Sequence, residues 1–149
     1  MHPDQLFCPI RKLWVAATPE ELVRQSLIQM MTKDLGFPAS GIALEKGLSQ
    51  MPHMDRNNGP IPTRRADIVV FAKDIHPDHL FYPLLLIECK AVPLTEKVIR
   101  QVVGYNQFVK ARFIAVANQT EIRLGWFQPE QQDYRFIPGM LPFETLKQK

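Results

Sequence analysis

The stretch "PLLLIECKAVPL", residues 83–94, sets four apolar residues in a row, Leu84 to Ile87, directly before a carboxylate and an amine, Glu88 and Lys90. An unbroken apolar run of this length, bounded by prolines, is the pattern of a strand covered on both faces. A strand alternates its side chains, so Glu88 and Lys90 share one face, about 7 Å apart along the backbone. Charge at the end of such a strand is costly unless it has a use.

Working outward, the preceding apolar segment Ala66–Ala72 opens on its own acid, Asp67. The two segments, Ala66–Ala72 and Tyr82–Cys89, are predicted as a hairpin around His76-Pro77-Asp78-His79. A turn centred between Pro77 and Asp78 sets Asp67 opposite Glu88, at the end of the sheet away from the turn. Directly opposed side chains lie about 5 Å apart, where two like charges repel. A divalent cation between them removes the repulsion, and two protein oxygens completed by water and substrate phosphate is a usual Mg²⁺ arrangement. Lys90, beside the pair, suits charge stabilisation at a phosphate.

The rest of the chain supplies layers for that sheet. Thr18-Pro19-Glu20-Glu21 is a helix start, with Thr as cap, Pro in the first turn and acids following. Val23, Leu27, Met30, Met31 and Leu35 make its apolar face, and Gly36 and Pro38 end it. Ile42–Leu44 reads as a short strand and residues 47–63 as a long loop without periodicity. Leu94–Val109 is a second predicted helix, with Thr95 a candidate cap and Val98, Val102, Tyr105 and Val109 on one side. Arg112–Ala117 and Ile122–Phe127 are a last strand pair. Residues 1–17 read as an arm plus a short apolar segment, and the last 20 residues as a Pro-rich tail. The whole predicts one α/β domain over residues 1–149, with a core from about 13 to 127 and a mixed sheet flanked by α-helices.

Composition adds boundaries. Net charge is +3 with a pI near 9.0, which favours an anionic partner without the basic stripe of an obvious nucleic-acid binder. Cys8 and Cys89 lack zinc spacing and point to a reducing compartment. No apolar run approaches the length of a membrane span, and the N-terminus lacks a signal-peptide pattern, so a cytoplasmic location is expected. His76 and His79 with Asp74 and Asp78, and His53 with Asp55, read as solvated turn and loop residues. Lys97, Arg100, Lys110 and Arg112 read as ordinary helix surface. Phe108, Phe113, Trp126 and Phe127 are expected in the core, as is Met30-Met31, with Cys89 buried and inert. No phosphate-binding Gly-rich loop or Walker motif is present, so any ATP-driven motor is expected on another chain.

Asp67, the Glu88-Cys89-Lys90 tripeptide and the Gln101-Val102-Val103-Gly104-Tyr105 spacing together resemble the PD-(D/E)xK nuclease superfamily. Within it they resemble the N-terminal nuclease domain of type I restriction enzyme R subunits. The opening Pro19-Glu20-Glu21, with Arg24-Gln25, and the Arg65–Val70 stretch are similar to that family too, so the likeness runs over roughly residues 13–120. The resemblance implies a restriction-endonuclease-like fold and Mg²⁺- or Mn²⁺-dependent cleavage of DNA, with motor and specificity functions on separate proteins. It implies Asp67, Glu88 and the Cys89 backbone carbonyl as metal ligands and Lys90 as catalytic lysine. Gln101 and Tyr105 then face the site from the second helix and position Lys90 or a DNA phosphate. An acid on the first helix completes the pocket, Glu20 by this reading with Glu21 the alternative. Ala66 stands where the family name has Pro. Arg64 and Arg65, just before Asp67, are candidates for phosphate contact, with a solvated strand entry the competing reading. Two other functions stay open: a nucleic-acid-binding or assembly module that does not cut, and an ordinary ion-pair cluster.

Overall fold

A computed structural model describes residues 4–54 and 64–149. Its centre is a six-stranded mixed sheet in the order β3-β4-β5-β6-β7-β8. These are Ile42–Gly47, Arg65–Lys73, Phe81–Cys89, Phe113–Ala117, Ile122–Gln128 and Asp133–Pro138. All neighbours are antiparallel except β5 and β6, which run parallel. A parallel pair needs a crossover, and helix α2 (Glu96–Val109) supplies it.

Helix α1 (Pro19–Asp34) begins as the sequence predicts: Thr18 Oγ1 accepts the Glu21 N–H at 3.1 Å, and Pro19 opens the first turn. Gly36, at φ +74°, ends it in the left-handed region that glycine enters freely. Helix α2 starts at Glu96 rather than Leu94, because Thr95 is its cap and accepts the Val98 N–H. At its other end Asn106 bonds both backbone groups of Ala111, donating to the carbonyl at 3.0 Å and accepting from the N–H at 2.9 Å. This pins the end of α2 to the entry of β6.

Two apolar cores follow from the two faces. One packs α1 residues Val23, Leu27, Ile28 and Met31 on Ile68, Val70, Leu85, Ile87 and Cys89. The other packs α2 residues Val102, Tyr105 and Val109 on Val69, Leu86, Ile114 and Val116. Covered from both sides, β5 is buried continuously from Pro83 to Cys89, as its sequence predicts. The restriction-endonuclease-like α/β architecture expected from the sequence is the one observed.

The β4–β5 hairpin pairs Ile68 with Ile87, Val69 with Leu86 and Val70 with Leu85, the predicted register at the end that matters for Asp67 and Glu88. Nearer the turn a bulge shifts it, and Phe71 faces Pro83. Leu84 is the extra residue, next to a proline that has no N–H for the ladder.

Four readings are corrected. The Pro-rich tail is structured: β8 extends the sheet, and α3 (Phe143–Gln148) buries Leu146 and sets the Phe143 ring 5.3 Å from Phe37. The arm is a hairpin of β1 (Gln5–Cys8) and β2 (Leu13–Ala16). The segment after β3 is not all irregular loop, since Leu48 and Met51 are buried in the α2-side core; the loop's remainder, with Asp55, lies outside the described residues. Phe108 and Phe127 are exposed rather than core, while Phe113 is buried. Phe108 lies on the outer side of α2, and Phe127 packs only edge-on against Tyr134 across β7 and β8. Among the described residues no helix is long and apolar enough to cross a membrane.

Candidate metal centre

The two acids meet where β4 begins and β5 ends. Beyond the Ile68–Ile87 pair the Asp67 side chain takes over from the ladder, its Oδ2 accepting the Cys89 N–H at 2.8 Å. That bond fixes one carboxylate oxygen across the mouth of the hairpin.

Glu88 lies on the α2 side of β5 with only 3% of its surface exposed. Its Oε2 accepts from Arg64 Nη2 at 3.0 Å, while its Oε1 is buried with no hydrogen-bond partner. Burial pushes the Glu88 carboxyl up to about 8; the neighbouring Asp67 charge adds to the rise and Arg64 opposes it. A buried carboxylate oxygen left unpaired is costly. Its place beside a second carboxylate suits an oxygen-seeking divalent cation, with the remaining ligands from water or substrate. Among the described residues no group of three His, Cys, Asp or Glu side chains could hold a metal.

Tyr105 joins the same cluster from α2. Its hydroxyl donates to the Arg64 carbonyl at 2.9 Å, and the Arg64 guanidinium sits 4.9 Å from its ring centroid. Burial, then the Glu88 charge, pushes the Tyr105 phenol up to about 12. The tyrosine thus holds Arg64, one of the two candidates for phosphate contact, and its hydroxyl is engaged there rather than on Lys90. Gln101, one helical turn earlier, is exposed and makes no hydrogen bond to the acids. Lys90 is half-buried just past β5; its N–H continues the parallel ladder to the Ala117 carbonyl at 2.8 Å, and its side chain makes no ion pair among the described residues. Arg65 is exposed on the first residue of β4. The Cys89 thiol faces the α1-side core, and burial pushes it up out of reactive range.

On the α1 side a cavity of about 500 Å³ is lined by Glu20, Glu21, Arg24, Glu45, Asp67 and Cys89. Glu20 is exposed at its rim, on the same cavity as Asp67. Glu21 is buried and already engaged: it accepts from Arg24 Nη2 at 2.6 Å, Arg11 Nη2 at 2.7 Å and Gln25 Nε2 at 2.9 Å. Burial alone would raise its carboxyl, but those donors outweigh it and hold it down at about 2. The reciprocal capping-box role is therefore not its use. Arg24 reaches on to the Asp67 carbonyl at 3.4 Å and to Glu45 at 3.3 Å. The sequence showed Glu21 and Arg24 at a helical i,i+3 spacing; Arg11 could be found only by folding the N-terminal hairpin onto α1.

A larger cavity, about 580 Å³, lies between α1 and the β6–β7 turn, lined by Leu22, Met30, Asn118, Ile122 and Pro138, away from the acid pair. At the far end of the hairpin His53, His76 and His79 gather around Tyr82, with the His76 ring stacked 4.5 Å from it. His53 Nε2 donates to the Val109 carbonyl at 2.7 Å, and burial lowers its pKa. These histidines pack; they do not assemble a ligand set.

No curated protein and no solved structure matches the chain. A family profile described as type I restriction enzyme R protein N terminus (HSDR_N) matches residues 19–142, from the first residue of α1 to the residue before α3. That span holds the whole six-stranded sheet and every residue of the acid cluster, and on it the chain belongs to the type I restriction enzyme R protein N-terminal family.

Proposed function

We propose that this domain is a Mg²⁺- or Mn²⁺-dependent deoxyribonuclease that hydrolyses phosphodiester bonds in DNA. The observation that carries the reading is the buried, partnerless Oε1 of Glu88 beside Asp67. Asp67, Glu88 and the Cys89 backbone carbonyl would hold the ion. When bound, it supplies Lewis-acid activation of water and charge neutralisation at the scissile phosphate. Asp67 is held for this by the Cys89 N–H on its side chain and by Arg24 on its carbonyl. Lys90, one position past the strand, places a cation where charge grows on the non-bridging phosphate oxygens. Arg64 and Arg65 bind flanking phosphates, Tyr105 orients Arg64, and Gln101 lies on the exposed side of α2 for contact with the nucleic acid. Glu20, at the cavity rim, is the first-helix acid of this site, since Glu21 is committed to two arginines. DNA is then the partner, and target choice and translocation belong to other subunits.

A second reading, a DNA-binding or assembly module that does not cut, draws on the Arg64–Glu88 ion pair, which neutralises one acid without metal. Incubating the purified protein with plasmid and single-stranded DNA plus Mg²⁺ or Mn²⁺ separates the two. Cleavage is expected from the wild type and not from Asp67→Ala or Lys90→Ala. Undiminished cleavage by those variants refutes the site, and DNA binding without turnover under either ion favours the module.

A further inference from the structure

Arg64 stands against the acid pair in a way that phosphate binding alone does not explain. Its guanidinium bonds Glu88 Oε2 at 3.0 Å, yet its side chain keeps 35% of its surface exposed while that of Glu88 keeps 4%. The cation therefore reaches in from solvent over a buried carboxylate. Its Nη2 meets one oxygen of that carboxylate, although a guanidinium can grip a carboxylate with two parallel bonds. The other oxygen, Oε1, stays buried and unpaired. Tyr105 clamps the arginine twice, by its hydroxyl on the carbonyl and by its ring under the guanidinium. The backbone clamp survives if the side chain swings away, so Arg64 has a fixed pivot and a free end.

We propose that Arg64 is a built-in competitor for the metal seat: its guanidinium stands in for the ion on Glu88, and entry of a divalent cation displaces it towards solvent, where with Arg65 it takes up a DNA phosphate. This rests on the proposed metal site and adds a coupling to it. An ion seated on Oε1 would stand within a few ångströms of the guanidinium on Oε2, and two positive groups that close repel strongly in a dry site. The apparent affinity for the ion is reduced by the fraction of molecules in which Arg64 is out. By linkage, an ion that frees Arg64 must raise affinity for DNA, and DNA must raise affinity for the ion by the same factor.

The test is Mn²⁺ titration of the full chain by calorimetry, with DNA binding measured separately in non-cleaving Ca²⁺ and in chelator. Arg64→Gln should bind Mn²⁺ about tenfold more tightly than wild type, the result of restoring a seat open about a tenth of the time. Arg64→Lys keeps a competing charge and should stay near wild type. Wild type should bind a short duplex more tightly in Ca²⁺ than in chelator, and Arg64→Gln should lose that gain. Loss of a merely structural arginine would loosen metal binding, not tighten it. If wild type binds Mn²⁺, Glu88→Gln does not, and Arg64→Gln binds equally or more weakly, the competitor fails and the metal site stands. If neither wild type nor Arg64→Gln binds Mn²⁺, both fall together. Binding by Arg64→Gln alone would support the competitor most strongly.

Discussion

Replacing Glu88 with Gln should make the metal-free protein more stable at alkaline pH and remove a pH dependence from its folding. The Glu88 carboxyl is raised in the folded state from an ordinary 4.5 to about 8. Between those values the folded protein holds a proton that the unfolded chain has released, so stability falls as pH rises through the window. At roughly 1.4 kcal/mol per tenfold change in proton affinity, the penalty reaches about 5 kcal/mol as a ceiling above pH 8, and grows by about 2 to 3 kcal/mol between pH 6 and 9. Gln carries no proton to lose. Gln stands in for the protonated acid, and the raised value already includes the attraction of Arg64 for the ionised form, so the net gain at pH 9 should approach the same ceiling of about 5 kcal/mol. Urea unfolding of both proteins in chelator at pH 6, 7, 8 and 9 reads the difference directly. Taking the difference cancels groups common to both, among them His53, whose lowered pKa acts in the opposite sense below neutrality. A wild type that keeps constant stability relative to Glu88→Gln over that range would refute the claim that Glu88 is an ionisable group stored in a dry site.

Glu21 should show the opposite sign: held at about 2, it contributes stability that is present above pH 4.5 and lost as pH falls towards 2. Glu21→Gln should cost about 2 to 3 kcal/mol at pH 7 and almost nothing near pH 2, by denaturant titration at both values. Gly125 faces Phe136 across β7 and β8, and a Cβ there would stand 2.5 Å from the ring. Gly125→Ala should therefore cost about 1 to 3 kcal/mol in thermal melts, and Phe136→Leu in the same chain should recover part of it.

What the sequence disclosed divides along the range of the interactions. Helix α1 announced itself because its cap, first-turn proline, acids and terminal glycine all lie within one local stretch. The Asp67–Glu88 opposition was legible because a hairpin converts spacing into contact, and the bulge at Pro83 left the register at that end intact. Arg64 was visible only as a nearby basic residue. Its bond to Glu88 and its clamp by Tyr105 need β4, β5 and α2 to be assembled first. Glu21 is engaged by Arg11, ten residues upstream on a hairpin that the sequence offered only as an arm. The last strand was hidden for a different reason. Asp133–Phe136 does alternate polar and aromatic residues, but over only four positions before Pro138 and only half-buried at the sheet edge, so the period-2 signal was too short to stand out from the Pro-rich stretch.

The same two-sided burial that made β5 readable is what gives Glu88 its chemistry. A carboxylate at an open edge would be hydrated and keep an ordinary pKa, whereas burial raises that of Glu88. Placing it within seven consecutively buried positions removes that hydration, at a cost in stability that the apolar cores on both faces must offset. The arrangement works only if the groups around the acid cannot drift in to satisfy it. Asn106, the residue after Tyr105, addresses this on the α2 side: by bonding both backbone groups of Ala111 it fixes the last turn of the helix. Tyr105 in turn fixes the Arg64 backbone. On the α1 side Glu21 holds Arg24 against the Asp67 carbonyl. The two acids are thus held from opposite faces of the sheet by separate networks. Among the described residues, that separation leaves Arg64, reaching in from solvent, as the cation paired with Glu88.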